Sequence, residues 1–272
     1  MGRRSIGRRV RVGTVAVVAM LGLTGCGGGS STPAVVDMTI AHDLAVYTGP
    51  TVKVSGTVTD YQSLLPLSGF KICLLDPIVT NLACATTGAN GSYALSGVPA
   101  EKQVVFTAER SGYFPALGLT TTTKQNSDYY YTVFSTGTVV LLTAAAGQTA
   151  DDTKGQFAIE FLNGAPAPDG GAADGGSAPM AQAGNKLSIS PASGTGPFYL
   201  DANGVPSRTL MQSSTHGGVA VLNVDPGDLE VTIIPAPGVT CAATAGWPGS
   251  GANKFKVRSV AGHAAALAVN CM

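Results

Sequence analysis

The sequence predicts an all-β protein made of two small antiparallel β-sandwich domains. Only 12% of its 272 residues are charged, while Gly, Thr, Ser, Val and Ala are abundant, as in exported strand-rich proteins. Short segments alternate apolar and polar residues and are separated by turns rich in Gly and Pro, which favours a sandwich. No long stretch shows a helical period, so helices are expected only as short connections.

The first 25 residues have the pattern of a secretory signal peptide. Five arginines and no acid lie within the first eleven residues, and the uncharged, mostly apolar run at 12–25 follows. That run has 14 residues, whereas a membrane-spanning helix needs about 20. A basic start, a short apolar core and small residues at its end therefore predict an exported protein.

Residues Leu23-Thr24-Gly25-Cys26 resemble the bacterial lipobox. The resemblance implies cleavage before Cys26, a diacylglycerol on its sulfur, and an acyl chain such as palmitate on the new amino group. Two or three acyl chains hold a protein firmly at a membrane, whereas one does so only marginally. Residue 27 is Gly rather than Asp, which favours the outer membrane of the cell envelope. The alternative is an ordinary secreted protein that carries a cysteine there by chance.

The charge balance argues against nucleic acid as a partner. Removing residues 1–25 takes away five arginines and no acid, which leaves 11 basic and 16 acidic side chains. Nucleic-acid binding requires basic patches, so a mildly acidic chain is a poor candidate. The membrane, through the lipid, and a glycan or an envelope protein are the expected partners.

Four further cysteines predict disulfide bonds: Cys73, Cys84, Cys241 and Cys271. Outside the cytoplasm an even set of cysteines indicates disulfides, and three pairings are open. We favour Cys73–Cys84 and Cys241–Cys271, because each pair then lies inside one predicted domain; each bond adds about 2–4 kcal/mol. The cysteines lack CxxC spacing and the histidines are not clustered, so neither a metal nor another cofactor is predicted.

Composition divides the rest of the chain into a tether and two strand-rich blocks. Residues 26–46 are expected to form a flexible tether, and the first sandwich domain is expected at 47–145. A second, divergent sandwich is expected at 154–272. A loop at 163–184, rich in Gly, Ala, Pro and Asp, is expected to be disordered because it cannot bury a core.

Within the first block, several segments are expected to be strands, including "DYYYTVF" at 128–134 and "TVVLL" at 138–142. The alternative considered near the end of this block is one short helix or turn over 141–152. "GANG" at 88–91 contains the Asn-Gly signal of a tight hairpin turn.

Residues 52–123 resemble a carboxypeptidase regulatory-like domain, a small sandwich of transthyretin-like (prealbumin-like) shape. The resemblance rests on four segments: "VSGTVTD" (54–60), "PLSG" (66–69), "TTGANGSYALSGVPA" (86–100) and "RSGYFP" (110–115). In this pattern Gly91 supplies the positive φ of a tight turn, and Tyr93 and Leu95 point toward the core. Pro99 ends the strand.

The second block repeats this theme more weakly. Residues 215–233 parallel residues 87–106, with a turn, an apolar alternation, a Val with a Pro nearby, and a following strand. The resemblance implies a second sandwich of the same kind. It implies little about function, because one fold hosts many functions.

Two enzymes related to this fold fail on their residue requirements. A zinc carboxypeptidase needs two His and a Glu as ligands, whereas the only histidines are His42, His216 and His263, without a His-x-x-Glu motif. Transthyretin-shaped hydrolases need paired His, an Arg and a terminal Tyr-Arg-Gly-Ser, and this chain ends in "AVNCM".

Two weaker chemical patterns are better explained as turns. A Ser-His-Asp triad from Ser213 or Ser214, His216 and Asp225 would lie within thirteen residues on one hairpin, whereas a triad needs converging elements. "DANG" at 201–204 begins like a calcium loop but lacks the further acids and the distal Glu.

Four aromatic residues are candidate ligand contacts: Tyr129, Tyr130, Tyr131 and Trp247. Successive strand residues face opposite sides, so at least one of the three tyrosines should lie outside the core. Exposed rings could stack on sugars or anchor a partner. Edge-strand packing and contact between the domains is the favoured alternative.

Taken together, the sequence predicts a non-catalytic envelope lipoprotein that acts as a binding, adhesion or structural module. A carbohydrate-binding accessory protein is the second hypothesis, and a cryptic hydrolase that depends on His216 is a remote third.

Overall fold

A computed structural model describes residues 47–164 and 180–272, and these residues form an all-β body, as predicted. The signal peptide, Cys26, the tether at 26–46 and residues 165–179 of the loop lie outside the described residues. All described residues belong to one compact unit.

The first half of the described chain forms short strands followed by one helix. The strands are β1 (Thr51–Asp60), β2 (Lys71–Asp76), β3 (Ala85–Thr86), β4 (Ser92–Pro99), β5 (Gln103–Glu109), β6 (Ala116–Thr121), β7 (Ser127–Asp128) and β8 (Tyr131–Val133). The helix is α1 (Thr136–Ala145).

The second half consists of strands and turns. Its strands are β9 (Gly155–Asn163), β10 (Met180–Ala181), β11 (Lys186–Ser190), β12 (Thr195–Tyr199), β13 (Gly218–Val224), β14 (Gly227–Ile234), β15 (Cys241–Ala243), β16 (Trp247–Pro248), β17 (Lys254–Ser259) and β18 (Ala264–Cys271).

A long central sheet runs through both halves of the chain. Its strand order is β12-β13-β9-β18-β6-β5-β2-β3, with β10 paired to β9 and β15 paired to β18. One smaller sheet contains β4-β1-β7 with β8 also on β1, and the other contains β11-β14-β17-β16. Most pairs are antiparallel, but β18 runs parallel to both β9 and β6, and β1 runs parallel to β7 and β8.

The two smaller sheets cover opposite faces of the central sheet. On β5, Phe106 packs in the core beneath β1 and β4, whereas the adjacent Val105 packs in the second core with residues of β14 and β17. Because successive strand residues point to opposite faces, these neighbours place the two cores on the two sides. The result is a pair of sandwiches, offset along one shared sheet.

The junction between the halves is made by β6 and β18. Ala264 and Ala265 of β18 lie in register with Ala116 and Leu117 of β6. Leu117 belongs to the first half of the chain, yet it packs in the core of the second half. The division into domains at 47–145 and 154–272 stays a proposal, and its two parts share this sheet.

The expected strand at 138–142 is wrong, because Thr136–Ala145 form a helix. The segment is apolar without alternation, so it does not specify a strand with one buried face. The Ser135 hydroxyl accepts a hydrogen bond from the Thr138 N–H at 3.0 Å and caps the helix. Gly147, with φ of 71°, follows its end.

The turn at 88–91 adopts the positive φ that was predicted for Gly91, which has φ of 74°. It is not a hairpin, because β3 pairs in the central sheet and β4 pairs in a smaller sheet. Tyr93 and Leu95 are buried, as predicted, and β4 ends at Pro99.

Both predicted disulfide bonds are present. Cys73 of β2 is bonded to Cys84, immediately before β3, and Cys241 of β15 is bonded to Cys271 of β18. The Cys241–Cys271 bond therefore joins two hydrogen-bonded strands. The Cys73–Cys84 bond joins β2 to the residue that precedes its hydrogen-bonded neighbour β3.

Candidate functional site

The offset of the two sandwiches leaves a groove of about 580 Å³ on one face of the central sheet. Its floor is the outer face of β13, β9 and β18, opposite the second core. Residues of β7, β8 and α1 and the segment around 200–216 form its sides. A volume of this size is typical of small-molecule sites.

Small side chains keep the floor deep. Strand residues with even numbers face the groove, while Phe157, Ile159 and Phe161 of β9 point into the second core. The small floor residues are Ala158, Gly218, Ala220, Ala266 and Ala268. Larger residues at these positions would fill the groove.

Aromatic rings line the side formed by the first half of the chain. The rings of Tyr61 and Phe134 contact each other with centroids 4.6 Å apart and are tilted by 38°. Tyr129 and Tyr130 also line the groove. Burial raises the pKa of the Tyr61 hydroxyl, and the charge of Glu160 raises that pKa further.

Glu160 is the charged residue at the centre of the floor. Its register neighbours are Gly218 on β13 and Ala268 on β18, which offer no polar side-chain atoms. Its side chain reaches the solvent of the groove, but apolar surroundings raise its pKa above the ordinary value, and His216 opposes this shift. Within 47–164 and 180–272, no hydrogen bond or ion pair engages the Glu160 carboxylate.

His216 lies at the edge of the floor, held between two glycines. A Cβ on Gly204 would lie 2.8 Å from His216 Nε2, and one on Gly218 would lie 2.9 Å from Nδ1. The Nδ1 atom is buried and has no hydrogen-bond partner among the described residues. Other atoms of His216 line the groove, so the residue is a second polar group at its edge.

The structure separates the four predicted aromatic contacts. Tyr129 and Tyr130 line the groove. Tyr129 is buried, and its hydroxyl accepts the Leu119 N–H at 3.1 Å. Burial raises the pKa of Tyr129 to about 12, although the bond from Leu119 opposes the shift. Tyr130 is half-buried, so it is the residue of the three consecutive tyrosines that extends beyond the core.

Tyr131 and Trp247 lie in the core. For these two residues, packing within the protein is therefore favoured over contact with a ligand. Tyr131 packs over Gly118, where a Cβ would lie only 2.6 Å from its hydroxyl oxygen. The Trp247 indole Nε1 donates to the Thr120 carbonyl at 2.9 Å, and Arg258 lies over its ring at 5.5 Å. Trp247 therefore joins β16 to β6 and does not present its ring for stacking.

The residues considered for a triad have other partners. The Ser213 hydroxyl donates to the Gln182 carbonyl, and the Ser214 hydroxyl donates to the Leu200 carbonyl at 2.7 Å. Asp225 binds Lys154 and accepts a hydrogen bond from Ser193. The Ser214 hydroxyl also accepts the His216 backbone N–H at 3.0 Å, so these contacts hold turns in place. None of these hydrogen bonds joins a serine hydroxyl or Asp225 to the His216 ring.

The "DANG" segment forms a turn. The Asp201 carboxylate accepts hydrogen bonds from the Asn203 and Val205 N–H groups, at 2.8 and 3.0 Å. Where the chain is described, no group of three or more His, Cys, Asp or Glu side chains is placed to hold a metal ion.

Sequence reasoning missed Glu160, Tyr61 and the groove itself. A weak signal was available in "AIEFL" at 158–162, where a lone acid stands among apolar residues on a strand. The "AAALA" run at 264–268 was a second signal, because it places alanines on one face of a neighbouring strand.

Neither the models of known protein families nor the curated proteins give a match to this chain. In the described part of the chain, no helix combines the length and the apolar character needed to cross a bilayer.

Solved structures that align with the chain include the Bacillus anthracis TIE protein and several pilins. The Bacillus anthracis TIE protein is 12% identical over 82% of this chain and 34% of its own, with a TM-score of 0.25. The chain thus spans about a third of that protein. GBS52, the minor pilin of Streptococcus agalactiae, is 10% identical over 80% of this chain and 94% of its own, with a TM-score of 0.25.

A third aligned structure, the shaft pilin SpaA of Lactobacillus rhamnosus GG, gives 13% identity, coverage of 81% and 98%, and a TM-score of 0.21. Scores this low do not describe two matching folds. No function follows from these alignments.

Proposed function

We propose that the protein is a non-catalytic cell-envelope lipoprotein, whose body is a binding module of carboxypeptidase regulatory-like type. The groove between the offset sandwiches carries this proposal. It is a preformed cavity on a rigid sheet, lined by apolar and aromatic side chains with a few polar groups, which is the usual composition of a ligand site.

The rigidity of the scaffold supports binding without a large rearrangement. The floor strands β9 and β18 pair along seven residues, from Gln156 with Ala264 to Leu162 with Asn270. The disulfide between Cys241 and Cys271 fixes the end of β18. A site on such strands loses little conformational entropy when a ligand binds.

The lipid anchor at Cys26 would place this body at the membrane, with residues 26–46 as the tether. Replacing Cys26 with Ser should abolish metabolic labelling with palmitate and release the protein from the membrane fraction. A Cys73→Ser variant is the control and should keep the label. A Cys26→Ser protein that remains labelled would contradict the anchor.

Filling the groove tests the binding role. Ala158→Trp places a large ring on the floor, and Ala94→Trp places the same ring on the exposed outer side of β4. Native mass spectrometry after incubation with an extract of envelope small molecules should show a bound ligand on the wild type and on Ala94→Trp, but not on Ala158→Trp. Equal binding to all three proteins, or to none, would remove this proposal.

A carbohydrate-binding accessory role is the second candidate. The observation that favours it is the set of rings beside polar groups at the groove, namely Tyr61 and Tyr130 near Asp128 and Thr132. A glycan array comparing the wild type with Tyr61→Ala separates this role from binding of other ligands.

A further inference from the structure

The charged groups of the groove have one sign. Asp128 and Glu160 line it, and no lysine or arginine from the described ranges does so. Asp128 accepts a hydrogen bond from the Ser55 hydroxyl at 2.6 Å, and this bond leaves its negative charge in place. These two carboxylates therefore attract cations and repel anions.

Glu160 is placed to be the partner of a ligand cation. Its neighbours in register, Gly218 and Ala268, leave space directly above the carboxylate. Among the described residues, no lysine or arginine pairs with it and no group donates a hydrogen bond to it, although the charge of His216 acts on it. A partly desolvated carboxylate that lacks a Lys or Arg partner is stabilised when a cation binds, because the cation replaces the interactions lost with water.

Aromatic rings stand beside this carboxylate. The negative charge of Glu160 is close enough to raise the pKa of the Tyr61 hydroxyl, and the tilted rings of Tyr61 and Phe134 contact each other. Tyr130 lines the same groove. Faces of aromatic rings attract cations through the ring quadrupole, and the attraction is stronger where water is excluded.

We propose that the groove binds an organic cation, namely a primary or quaternary ammonium group carried on an apolar body. The ammonium group pairs with Glu160 beside the Tyr61 ring, and the apolar body lies along the alanine floor made by Ala158, Ala266 and Ala268. This inference rests on the proposed binding function and names the chemical class of its ligand.

The floor distinguishes this ligand from a neutral sugar. A sugar ring presents hydroxyl groups around its edge, and buried hydroxyls without partners weaken binding. The floor beside Glu160 consists of alanine, glycine and leucine side chains, which cannot satisfy such hydroxyls. An alkyl or aryl body needs no such partners.

Three probes with one apolar body and different head groups test the charge requirement. Isothermal titration calorimetry of the lipid-free chain with phenylpropylammonium, phenylpropanol and phenylpropionate at neutral pH compares a cation, a neutral alcohol and an anion. We expect measurable binding of the ammonium probe, binding weaker by about 10- to 100-fold for the alcohol, and none for the anion.

Two matched substitutions locate the charge. Glu160→Gln should weaken binding of the ammonium probe by about 10- to 100-fold and leave binding of the alcohol unchanged. Glu109→Gln changes an exposed strand carboxylate outside the groove and should alter neither. Circular dichroism of each variant verifies that the fold is kept.

The outcomes separate this inference from the proposed function. If the alcohol or the anion binds as well as the ammonium probe and Ala158→Trp blocks that binding, the groove is a ligand site and the cation preference is wrong. If Glu160→Gln binds the ammonium probe like the wild type, the assignment of Glu160 is overturned. If no probe binds, the inference fails, and the extract experiment with Ala158→Trp then decides the binding function.

Discussion

At the scale of single residues, the neighbours of a strand position determine its chemistry. Glu160 and Glu230 are both strand glutamates, but their surroundings differ. Glu230 accepts hydrogen bonds from Lys254 and Ser250, which lower its pKa to about 2. Glu160 reaches solvent but stands between Gly218 and an alanine, so partial desolvation by the groove walls raises its pKa.

These opposite shifts predict opposite effects of pH on stability. The folded pKa of Glu160 lies above its reference value of 4.5, so the folded protein binds more protons than the unfolded chain between these two pKa values. The free energy of unfolding falls as pH rises through that window. Glu160→Gln should therefore stabilise the protein at neutral pH, and the gain should disappear as the pH drops below 4.5.

Urea unfolding at a series of pH values tests this prediction, with Glu230→Gln as the comparison of opposite sign. The stability that Glu230 contributes is present above its reference value of 4.5 and is lost as pH falls toward about 2. His216, Tyr61 and Asp128 also line the groove near Glu160. The comparison of wild type with Glu160→Gln requires that these three groups contribute equally to the pH dependence of stability in both proteins. If the free energy of unfolding depends on pH identically in wild type and Glu160→Gln, the raised pKa of Glu160 is wrong.

Glycine is required at position 91 both by the backbone conformation and by the lack of space for a Cβ. Its φ is 74°, and a Cβ would lie 2.8 Å from Pro66 Cβ and 2.9 Å from both the Leu67 N and the Val58 O. We expect Gly91→Ala to lower the free energy of unfolding by about 2–4 kcal/mol, from the strained φ and the contact with backbone.

Gly69 is the matched control for this substitution. Its φ of 77° is similar, but a Cβ there would meet no atom within 4 Å. Gly69→Ala should lower the free energy of unfolding by only about 1 kcal/mol, since the conformational penalty acts alone. Chemical denaturation measures both variants, and equal losses would show that the contact at Gly91 is unimportant.

At the scale of elements, α1 shows where periodicity stops being informative. The run "TVVLL" is β-branched and apolar, and it was expected to be a strand. In the structure Ser135 caps the segment as a helix, with Val140 and Leu141 exposed. A continuous apolar run has no polar face, so its sequence alone does not choose between a helix and a strand.

The two disulfides close loops of different length along the chain. Cys241 and Cys271 are 30 residues apart, whereas Cys73 and Cys84 are 11 apart. In the chain-entropy account, closing the longer loop stabilises the fold by about 1 kcal/mol more. Replacing Cys241 and Cys271 with alanine should therefore lower the free energy of unfolding more than replacing the other pair.

Unfolding in urea under non-reducing conditions compares the two double variants. Loss of packing adds to the difference, because Cys241 and Cys271 are both buried whereas Cys84 is exposed. A larger loss for the Cys73–Cys84 variant would contradict both arguments.

At the scale of the whole molecule, the shared sheet couples the two halves. Leu117, Leu119 and Val105 come from strands of the first half but pack in the second core. Trp247 in turn donates its indole N–H to Thr120 of β6. Separating the halves would expose these apolar surfaces, so each half stabilises the other.

This coupling predicts one cooperative unfolding transition. Leu119 is fully buried, and Leu119→Ala should lower the free energy of unfolding by about 2–5 kcal/mol. In differential scanning calorimetry we expect a single peak that moves to lower temperature as a whole. Thr121→Ala, at the exposed end of β6, should leave the peak in place. Two separate peaks, with only one moved by Leu119→Ala, would show independent halves.

The sequence by itself determined the strand-rich class, the positive φ at Gly91 and the buried side chains of Tyr93 and Leu95, and it favoured both disulfide pairs among three possible pairings through the expected domain division. These features depend on residues close in the chain or on alternation along one strand, which reports the face on which a residue lies. Only the tertiary structure decided that β18 lies between β9 and β6, that Trp247 is buried, and that residues 47–164 and 180–272 leave a groove above the floor around Glu160. Periodicity does not report which strands become neighbours or which sheet covers a face, because long-range packing makes that choice.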